Sequence, residues 1–200
     1  MSKDDSTAAL PEAAGVTAAH DRALETWAKA GPEPVGNADG LIGVITSQHF
    51  CNFTLWGLED EARRRDVDDS HIATVKRGID EWNQHRNDLI ETIDEGLLAL
   101  FPSPANSATQ HSESAGMMID RLSILALKVG NMSALATGEG EVARECAGKL
   151  EVLRQQRDDL GRCLDSLMAD CMAGRRYYKV YRQFKAYNDP RLNPYLAGRD

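Results

Sequence analysis

Apolar residues recur at every third or fourth position from residue 72 to residue 100, which predicts an amphipathic helix with one buried seam. The seam comprises Ile72, Val75, Ile79, Trp82, Leu89, Ile93, Leu97 and Leu100, and Arg86 projects from its middle. A polar stripe beside it comprises Lys76, Asp80, Asn83, Asn87 and Asp94, with Glu91 at its margin. A stripe in that position faces a neighbouring helix rather than solvent. The pattern therefore predicts a polar site inside a helical bundle, with Arg86 buried against a carboxylate of the second or third helix.

The preceding helix also mixes polar and aromatic residues on one face. That face comprises Ile42, Ile45, His49, Phe53, Trp56, Asp60 and Arg63, with Asn52 and Glu59 beside it. A buried polar group without a partner costs about 1–3 kcal/mol, so Asp60 is expected to pair with Arg63 or with Arg86. A structural network would explain this pattern. The functional interpretation gains weight because two adjacent helices both carry the pattern, and desolvation often cancels the Coulomb gain of burying charges.

Helical periodicity continues along most of the chain, and the alternation typical of strands is almost absent. Four of the predicted helices span residues 17–30, 41–65, 115–136 and 141–172. Another begins at the break at residues 66–70 and ends at residue 101, and a basic, aromatic helix is predicted at residues 175–187. Short Gly-, Pro- and Ser-rich connections favour antiparallel neighbours. The fold class is therefore all-α, a mainly antiparallel bundle of five or six helices. Residues 1–16 are expected to form a disordered N-terminal segment and residues 17–200 a single domain.

The charge is unevenly distributed. The chain carries a net charge of −8, which argues against nucleic-acid and membrane partners. Residues 174–200 contain seven Lys or Arg against two Asp, a net +5, so the remainder carries −13. This basic segment, rich in tyrosine, is expected to fold back over the acidic bundle; an anion-binding patch is the alternative. RNA binding through basic and aromatic residues is less compatible with the acidic remainder.

The four cysteines show no spacing typical of metal sites or redox motifs. They are Cys51, Cys146, Cys163 and Cys171, and most of them lie at apolar helix positions, which predicts free thiols. The absence of a secretory signal and of a long apolar run predicts a cytoplasmic protein. A homo-oligomer is compatible with the sequence.

Two further groups of charged residues bear on chemistry. Carboxylates Asp60, Asp80, Glu91 and Asp94 could bind magnesium between helices, since magnesium prefers oxygen ligands. Arg121 and Lys128 lie one above the other at the edge of the fourth helix. They either extend to solvent or neutralise the acidic stripe or an anionic ligand.

Several ordered blocks together resemble the bacterial family called domain of unknown function 4254. They are NFTLWGLED at 52–60, IATVKRGID at 72–80, NQHRNDLIETID at 83–94, DRLSILALK at 120–128 and YRQFKAYNDPRLNP at 181–194. The resemblance covers residues 40–194. The chain departs from the family pattern at two places: the family usually shows Met where Ala186 stands, and His near Asn131. It implies a cytosolic helical protein, often encoded near genes for sugar transfer and cell-surface polysaccharides. It implies no established activity and no agreed catalytic residues.

The leading hypothesis is a pocket between the second, third and fourth helices, covered by the C-terminal segment, that binds or transforms a small phosphate- or sugar-bearing anion. Arg63, Arg86, Arg121 and Lys128 would hold the anion, and Asp60, Glu91 or Asp94 would act as general acid or base. The other candidate ligand-binding residues are Asn52, Trp56, Lys76, Asp80, Asn83 and Asn87. The alternative is a non-catalytic interaction or scaffold protein whose buried polar network fixes helix register. A solvent-connected cleft would favour the first hypothesis, and a sealed, fully paired network the second.

Overall fold

The computed structural model describes residues 10–33, 40–182, 191–193 and 195. Within these residues the chain forms five helices and one pair of very short strands, which confirms the all-α prediction. The helices are α1 (Ala13–Ala30), α2 (Leu41–Glu61), α3 (Asp69–Leu98), α4 (Ala115–Ala136) and α5 (Glu141–Met172), and the strands are β1 (Thr109–Gln110) and β2 (Arg176–Tyr177).

Side chains that cap the helices explain where α3 and α4 begin. Asp68 accepts a hydrogen bond from the backbone N–H of His71 at the start of α3. Ser114 accepts one from the N–H of Met117 at the start of α4. Each cap satisfies an amide that has no partner within its own helix. Both helices therefore start where the sequence places an Asp or a Ser before an apolar run.

Four of the helices form two hairpins, α2 with α3 and α4 with α5, and a short loop connects the two helices of each hairpin. The helix α2 packs most closely on α3, and α4 on α5, while α1 lies across α2, α4 and α5. The main core is formed by the facing apolar seams of the helices, including the fully buried Ile45, Ile93, Leu97, Ile119, Leu122, Leu164 and Leu167. A second, aromatic cluster joins Trp27 of α1 to Phe50 of α2. These contacts fix α3 and α4 side by side, where the candidate site lies.

The prediction of a sixth helix is wrong over residues 175–182, which contain no helix. Gly174 has a φ of 68°, in the left-handed region that favours glycine, and turns the chain back after α5. The following residues are extended and pair with the loop before α4: β2 lies parallel to β1, with Thr109 beside Arg176. The backbone N–H of His111 donates to the carbonyl of Tyr177 at 2.8 Å. Hydrogen bonds between the residues after Gly174 and the loop before α4 therefore replace the hydrogen bonds that a helix would have formed within its own backbone. Residues 183–187 of the predicted helix lie outside the described residues.

Other boundaries differ by a few residues. The helix α1 begins at Ala13, four residues before its expected start, because Ala13 and Val16 pack into the main core. The helices α2 and α3 end at Glu61 and Leu98 rather than at residues 65 and 101. The part of the predicted N-terminal segment at residues 1–9 lies outside the described residues.

The thiol prediction is confirmed. All four cysteines are free, with Cys51, Cys146 and Cys171 buried and Cys163 exposed. In the described part of the chain, none of the helices combines the length and the apolar character needed to cross a membrane.

Candidate functional site

A cleft of about 500 Å³ opens beside α3 and α4. Its walls come from the second half of α3, the turn before α4, the first turns of α4 and the segment after β2. The lining residues are Arg86, Asn87, Ile90, Glu91, Asp94, Ser112, Glu113, Ser114, Met117, Asp120, Arg121, Lys179, Val180, Tyr181 and Arg182. Charged side chains dominate this set, so the cleft suits a polar ligand.

The structure brings together five of the residues that the sequence nominated. These are Arg86, Asn87, Glu91, Asp94 and Arg121, all of which line the cleft. Asn52 lies behind it and donates to Asp120 at 2.9 Å. The convergence follows from the packing of α3 on α4, because the polar stripe is buried from Asn87 onward. The second helix therefore supports the cleft from behind and does not line it.

The other nominated residues lie elsewhere. Asp60 and Arg63 form an exposed pair at the end of α2, with an N–O distance of 3.0 Å, because the last buried residue of α2 is Leu55. Lys76 and Asp80 form another exposed pair on α3, at 3.5 Å. Asn83 is half-buried and does not line the cleft. Trp56 and Lys128 line a different groove, between α4 and α5. Helical periodicity gives the angle of a side chain around its helix and does not show which turns a neighbouring helix covers.

Asp94 joins α3 to the start of α4. Its carboxylate accepts a hydrogen bond of 2.6 Å from the backbone N–H of Gly116, and the residue is 2% exposed. The helices approach so closely here that a Cβ on Gly116 would lie 2.7 Å from the carbonyl oxygen of Ile90 and 2.8 Å from Cγ of Asp94. Burial raises the pKa of Asp94 to about 6, and the neighbouring polar groups of Ser114, Gly116 and Tyr178 partly oppose the shift. This carboxyl group therefore changes its charge near neutral pH.

Asp120 is the central site residue that the sequence did not nominate. It accepts hydrogen bonds from the Gln48 amide at 2.5 Å and from the Asn52 amide at 2.9 Å. Asn52 also donates to the Ser123 hydroxyl, which lies 2.7 Å from Nδ1 of His49. Burial raises the pKa of Asp120, against the effects of Asn52, Arg86 and Gln48. One feature of the sequence could have pointed to Asp120: it lies three residues before Ser123 on α4, beside the apolar positions Ile119 and Leu127, which are buried.

Arg86 finds its carboxylate on α4, so the prediction of a partner in the second or third helix is wrong. Its Nε atom lies 3.9 Å from Oδ1 of Asp120, and its side chain is 26% exposed. The distance is too long for a hydrogen bond. The contact arises because Arg86 points across the α3–α4 gap and not along α3. Its guanidinium group therefore faces both the buried network and the open cleft.

Three further cations surround the mouth of the cleft. Arg121 binds both carboxylate oxygens of Glu113, at 2.9 and 2.8 Å. Arg182 donates to Glu95 at 2.7 Å, which ties the C-terminal segment to α3. Lys179 is exposed and lines the cleft without an ion pair in the described part of the chain. Lys179 and Arg182 belong to the basic C-terminal segment, which was expected to dock on the bundle, and the sequence pattern did not nominate either residue for the site.

The C-terminal segment covers one side of the cleft, as predicted, although it is extended. Tyr178 is 4% exposed, and its ring packs edge-on against Phe101 with the ring centres 6.2 Å apart. Val180 packs on the main core. Tyr181, by contrast, is 69% exposed. Aromatic burial, together with the backbone pairing, therefore holds the segment in place.

A buried histidine pair lies behind the network. The rings of His20 and His49 are 4.5 Å apart, both are fully buried, and Trp27 stacks on His49. Burial lowers the pKa of His49 to about 3 and that of His20 well below its usual value near 6.5. The pair is therefore neutral at physiological pH and joins α1 to α2.

The four carboxylates expected to bind magnesium do not assemble into one site. Glu91 and Asp94 lie at the cleft, whereas Asp60 and Asp80 form ion pairs on the exposed surface. Among the described residues, no group of three or more His, Cys, Asp or Glu side chains is arranged to hold a metal ion.

Comparison with known proteins identifies the family. The model of the family described as protein of unknown function (DUF4254) matches residues 43–180. This range includes every cleft-lining residue up to Val180. The chain therefore belongs to this family. Comparisons with curated proteins and with solved structures gave no significant match.

Proposed function

We propose that the cleft beside α3 and α4 binds a small anionic ligand with a phosphate group, in a cytoplasmic bacterial protein. The observation that supports this most directly is the convergence of cations from separate segments. Arg86 comes from α3, Arg121 from α4, and Lys179 and Arg182 from the segment after β2. Phosphate oxygens accept several charge-assisted hydrogen bonds at once, which is what such a cluster offers.

Three of the carboxylates that line the cleft are engaged by groups of the protein itself. Glu113 is engaged by Arg121, and Asp120 accepts hydrogen bonds from two amides. Asp94 is almost fully buried, and its carboxylate holds the backbone N–H of Gly116. Lys179 and the outward side of Arg86 therefore remain the groups that an entering anion meets first. The proposal assigns ligand binding to Arg86, Asn87, Arg121 and Lys179.

Glu91 and Asp94 are the acid–base candidates within the proposal. They lie one turn apart on α3 at the cleft, and burial raises the pKa of Asp94 to about 6. A carboxyl group whose pKa is raised towards neutrality can take up or release a proton at physiological pH. Because Asp94 is 2% exposed and holds the start of α4, Glu91 is the group nearer to a bound ligand.

Isothermal titration calorimetry tests the binding proposal. The probes are inorganic phosphate, diphosphate and a nucleoside diphosphate sugar, each with and without magnesium. At least one phosphate probe should bind, and Lys179→Ala and Arg86→Met should each weaken its binding tenfold or more. Arg63→Met and Lys76→Ala are matched controls, because they remove the same charges from exposed ion pairs outside the cleft. Absence of binding, or equal losses in the control variants, would contradict the proposal.

The alternative function, a non-catalytic interaction protein, rests on the buried hydrogen-bond chain. Gln48, Asn52, Ser123 and His49 are buried; Gln48 and Asn52 donate to Asp120, and Asn52 and His49 bond Ser123. A network of this kind can fix the register of α2 against α4 without binding anything. Under this alternative, Lys179→Ala would leave every property of the isolated protein unchanged.

A further inference from the structure

The charged cleft continues into a groove along α4. Glu113 and Arg121 line both the cleft and a second depression between α4 and α5. Lys128 and Gln156 line both this depression and a third one further along the same helices. Successive depressions therefore share lining residues, and all three lie along α4.

The character of this groove changes from charged to apolar along its length. The middle depression has Leu125, Leu160, Arg121 and Lys128 among its lining residues. The far depression has a mainly apolar surface, with Trp56, Met132, Leu135, Val152 and Leu153 among its lining residues. Leu135 is 57% exposed and Val152 is 58% exposed. Apolar side chains this exposed, in a row that begins at a cationic cleft, match a ligand with a charged head and an aliphatic tail.

The dimensions agree with a single chain. Met117 lines the cleft and Leu135 lines the far depression, and both belong to α4. Eighteen residues of α-helix span about 27 Å, at about 1.5 Å per residue. That distance accommodates a phosphate group followed by a medium or long alkyl chain.

We propose that the groove binds an anionic amphiphile, with its phosphate-bearing head in the α3–α4 cleft and its aliphatic chain along α4 and α5 over Leu125, Leu135 and Val152. This inference rests on the proposed anion site and names the class of ligand that the site takes. A small phosphorylated sugar would use the cleft alone and would leave the apolar end without a role. The amphiphile uses both ends, and the cations Arg121 and Lys128 flank its path.

Alkyl phosphates of increasing chain length test the inference. Ethyl, octyl and decyl phosphate are titrated below their aggregation concentrations and compared with decyl maltoside, which has the chain without the charge. An open groove covers about half of each methylene, so affinity should rise about twofold per methylene and, over the eight methylenes that separate ethyl from decyl phosphate, roughly 250-fold. The neutral maltoside should bind much more weakly than decyl phosphate.

Matched variants separate the two ends of the groove. Val152→Ser should lower affinity for decyl phosphate about tenfold and leave ethyl phosphate unaffected, while Lys179→Ala should weaken both. Val142→Ser is the control, since Val142 is 68% exposed on the same helix and does not line the groove. Both valines are exposed, so both variants should fold.

The outcomes distinguish the two proposals. If ethyl phosphate binds and chain length makes no difference, the amphiphile inference fails and the anion site stands. If none of the phosphates binds, the anion site itself fails, and the inference fails with it. Equal effects of Val152→Ser and Val142→Ser, or equal affinity for decyl maltoside and decyl phosphate, would also overturn the inference.

Discussion

Asp94 shows how a single residue can reduce stability and still organise a site. Its carboxylate holds the N–H of Gly116 and thereby positions the first turn of α4 against α3. The same burial raises its pKa to about 6, from an ordinary value of 3.8. Ionising it in place at neutral pH therefore costs free energy that a neutral residue of the same shape would not. Residues with strongly shifted pKa values concentrate at functional sites, which is consistent with the proposed role of the cleft.

Replacement of Asp94 by Asn should raise the free energy of unfolding above pH 6. The pKa of Asp94 is higher in the folded state, so its contribution to stability is fully present below pH 3.8 and is lost as the pH rises through about 6. An asparagine side chain keeps an acceptor for Gly116 and does not ionise, so the variant should gain about 1–3 kcal/mol at pH 7.5. Urea unfolding of both proteins from pH 4 to pH 8 measures the difference. A difference that does not vary with pH would show that Asp94 has an ordinary pKa.

Gly116→Ala should destabilise the protein by about 1–3 kcal/mol, because the new Cβ would overlap Ile90 and Asp94. Gly148→Ala is the matched control: it also lies inside a helix, and among the described residues no neighbouring atom lies within 4 Å of the point that its Cβ would occupy. Alanine is the better helix former, so Gly148→Ala should stabilise by up to about 1 kcal/mol. Thermal melts of the two variants would decide; equal shifts in Tm would mean that the α3–α4 approach is looser than the structure indicates.

At the scale of elements, the cleft depends on an extended segment that takes its hydrogen bonds from a loop. Only two residue pairs form the parallel bridge between β1 and β2. Such a short pairing is weak by itself. Tyr178 and Val180 supply the apolar contacts, and Arg182 adds an ion pair to Glu95. The segment thus completes one wall of the cleft and closes the end of the core.

Tyr178→Ala should therefore lower the free energy of unfolding by about 3 kcal/mol, the usual cost of removing a buried aromatic ring. Tyr181→Ala should change it by less than about 0.5 kcal/mol, since Tyr181 is 69% exposed. Deleting the chain after Gly174 should produce a larger loss and expose apolar surface. Denaturant unfolding and binding of a hydrophobic dye measure these effects. A truncated chain that melts like the full-length protein would show the segment to be an independent arm.

For the whole molecule, two buried sites make stability depend on pH in opposite directions. As the pH falls from 6 to 4, Asp94 becomes protonated more readily in the folded state, which stabilises the fold. Over the same range, His20 and His49 remain largely neutral in the fold while they become charged in the unfolded chain, which destabilises it. Groups of α1, α4 and α5 surround the pair: Trp27 stacks on it, Ser123 bonds His49, and Arg157 disfavours its protonation. The two histidines together should outweigh the one carboxyl group.

The free energy of unfolding should fall as the pH drops below 6.5, by up to about 1.4 kcal/mol per pH unit for each histidine. The sign follows from the lowered pKa values: stability is fully present above the unfolded value near 6.5 and is lost below it. His20→Leu should reduce this slope relative to the wild type, whereas His85→Gln should preserve it because His85 is exposed. Unfolding curves at pH 7, 6 and 5 provide the measurement. Parallel pH profiles for the wild type and His20→Leu would contradict the role given to the buried pair.

The local sequence pattern was enough to predict the five helices and the part of the cleft that lies on α3. Capping residues and apolar periodicity are local, so Asp68 and Ser114 marked where helices begin, and spacing placed Arg86, Glu91 and Asp94 on neighbouring faces of one helix. Periodicity gives the angle of a side chain around its helix but not the length over which another helix covers it. Only the tertiary structure showed that α2 is uncovered at Asp60 and Arg63, and that Asp120 of α4 is the partner of Arg86. Likewise, the backbone of residues 175–182 became extended because a distant loop offered it hydrogen bonds, and such long-range pairing leaves no local pattern in the sequence.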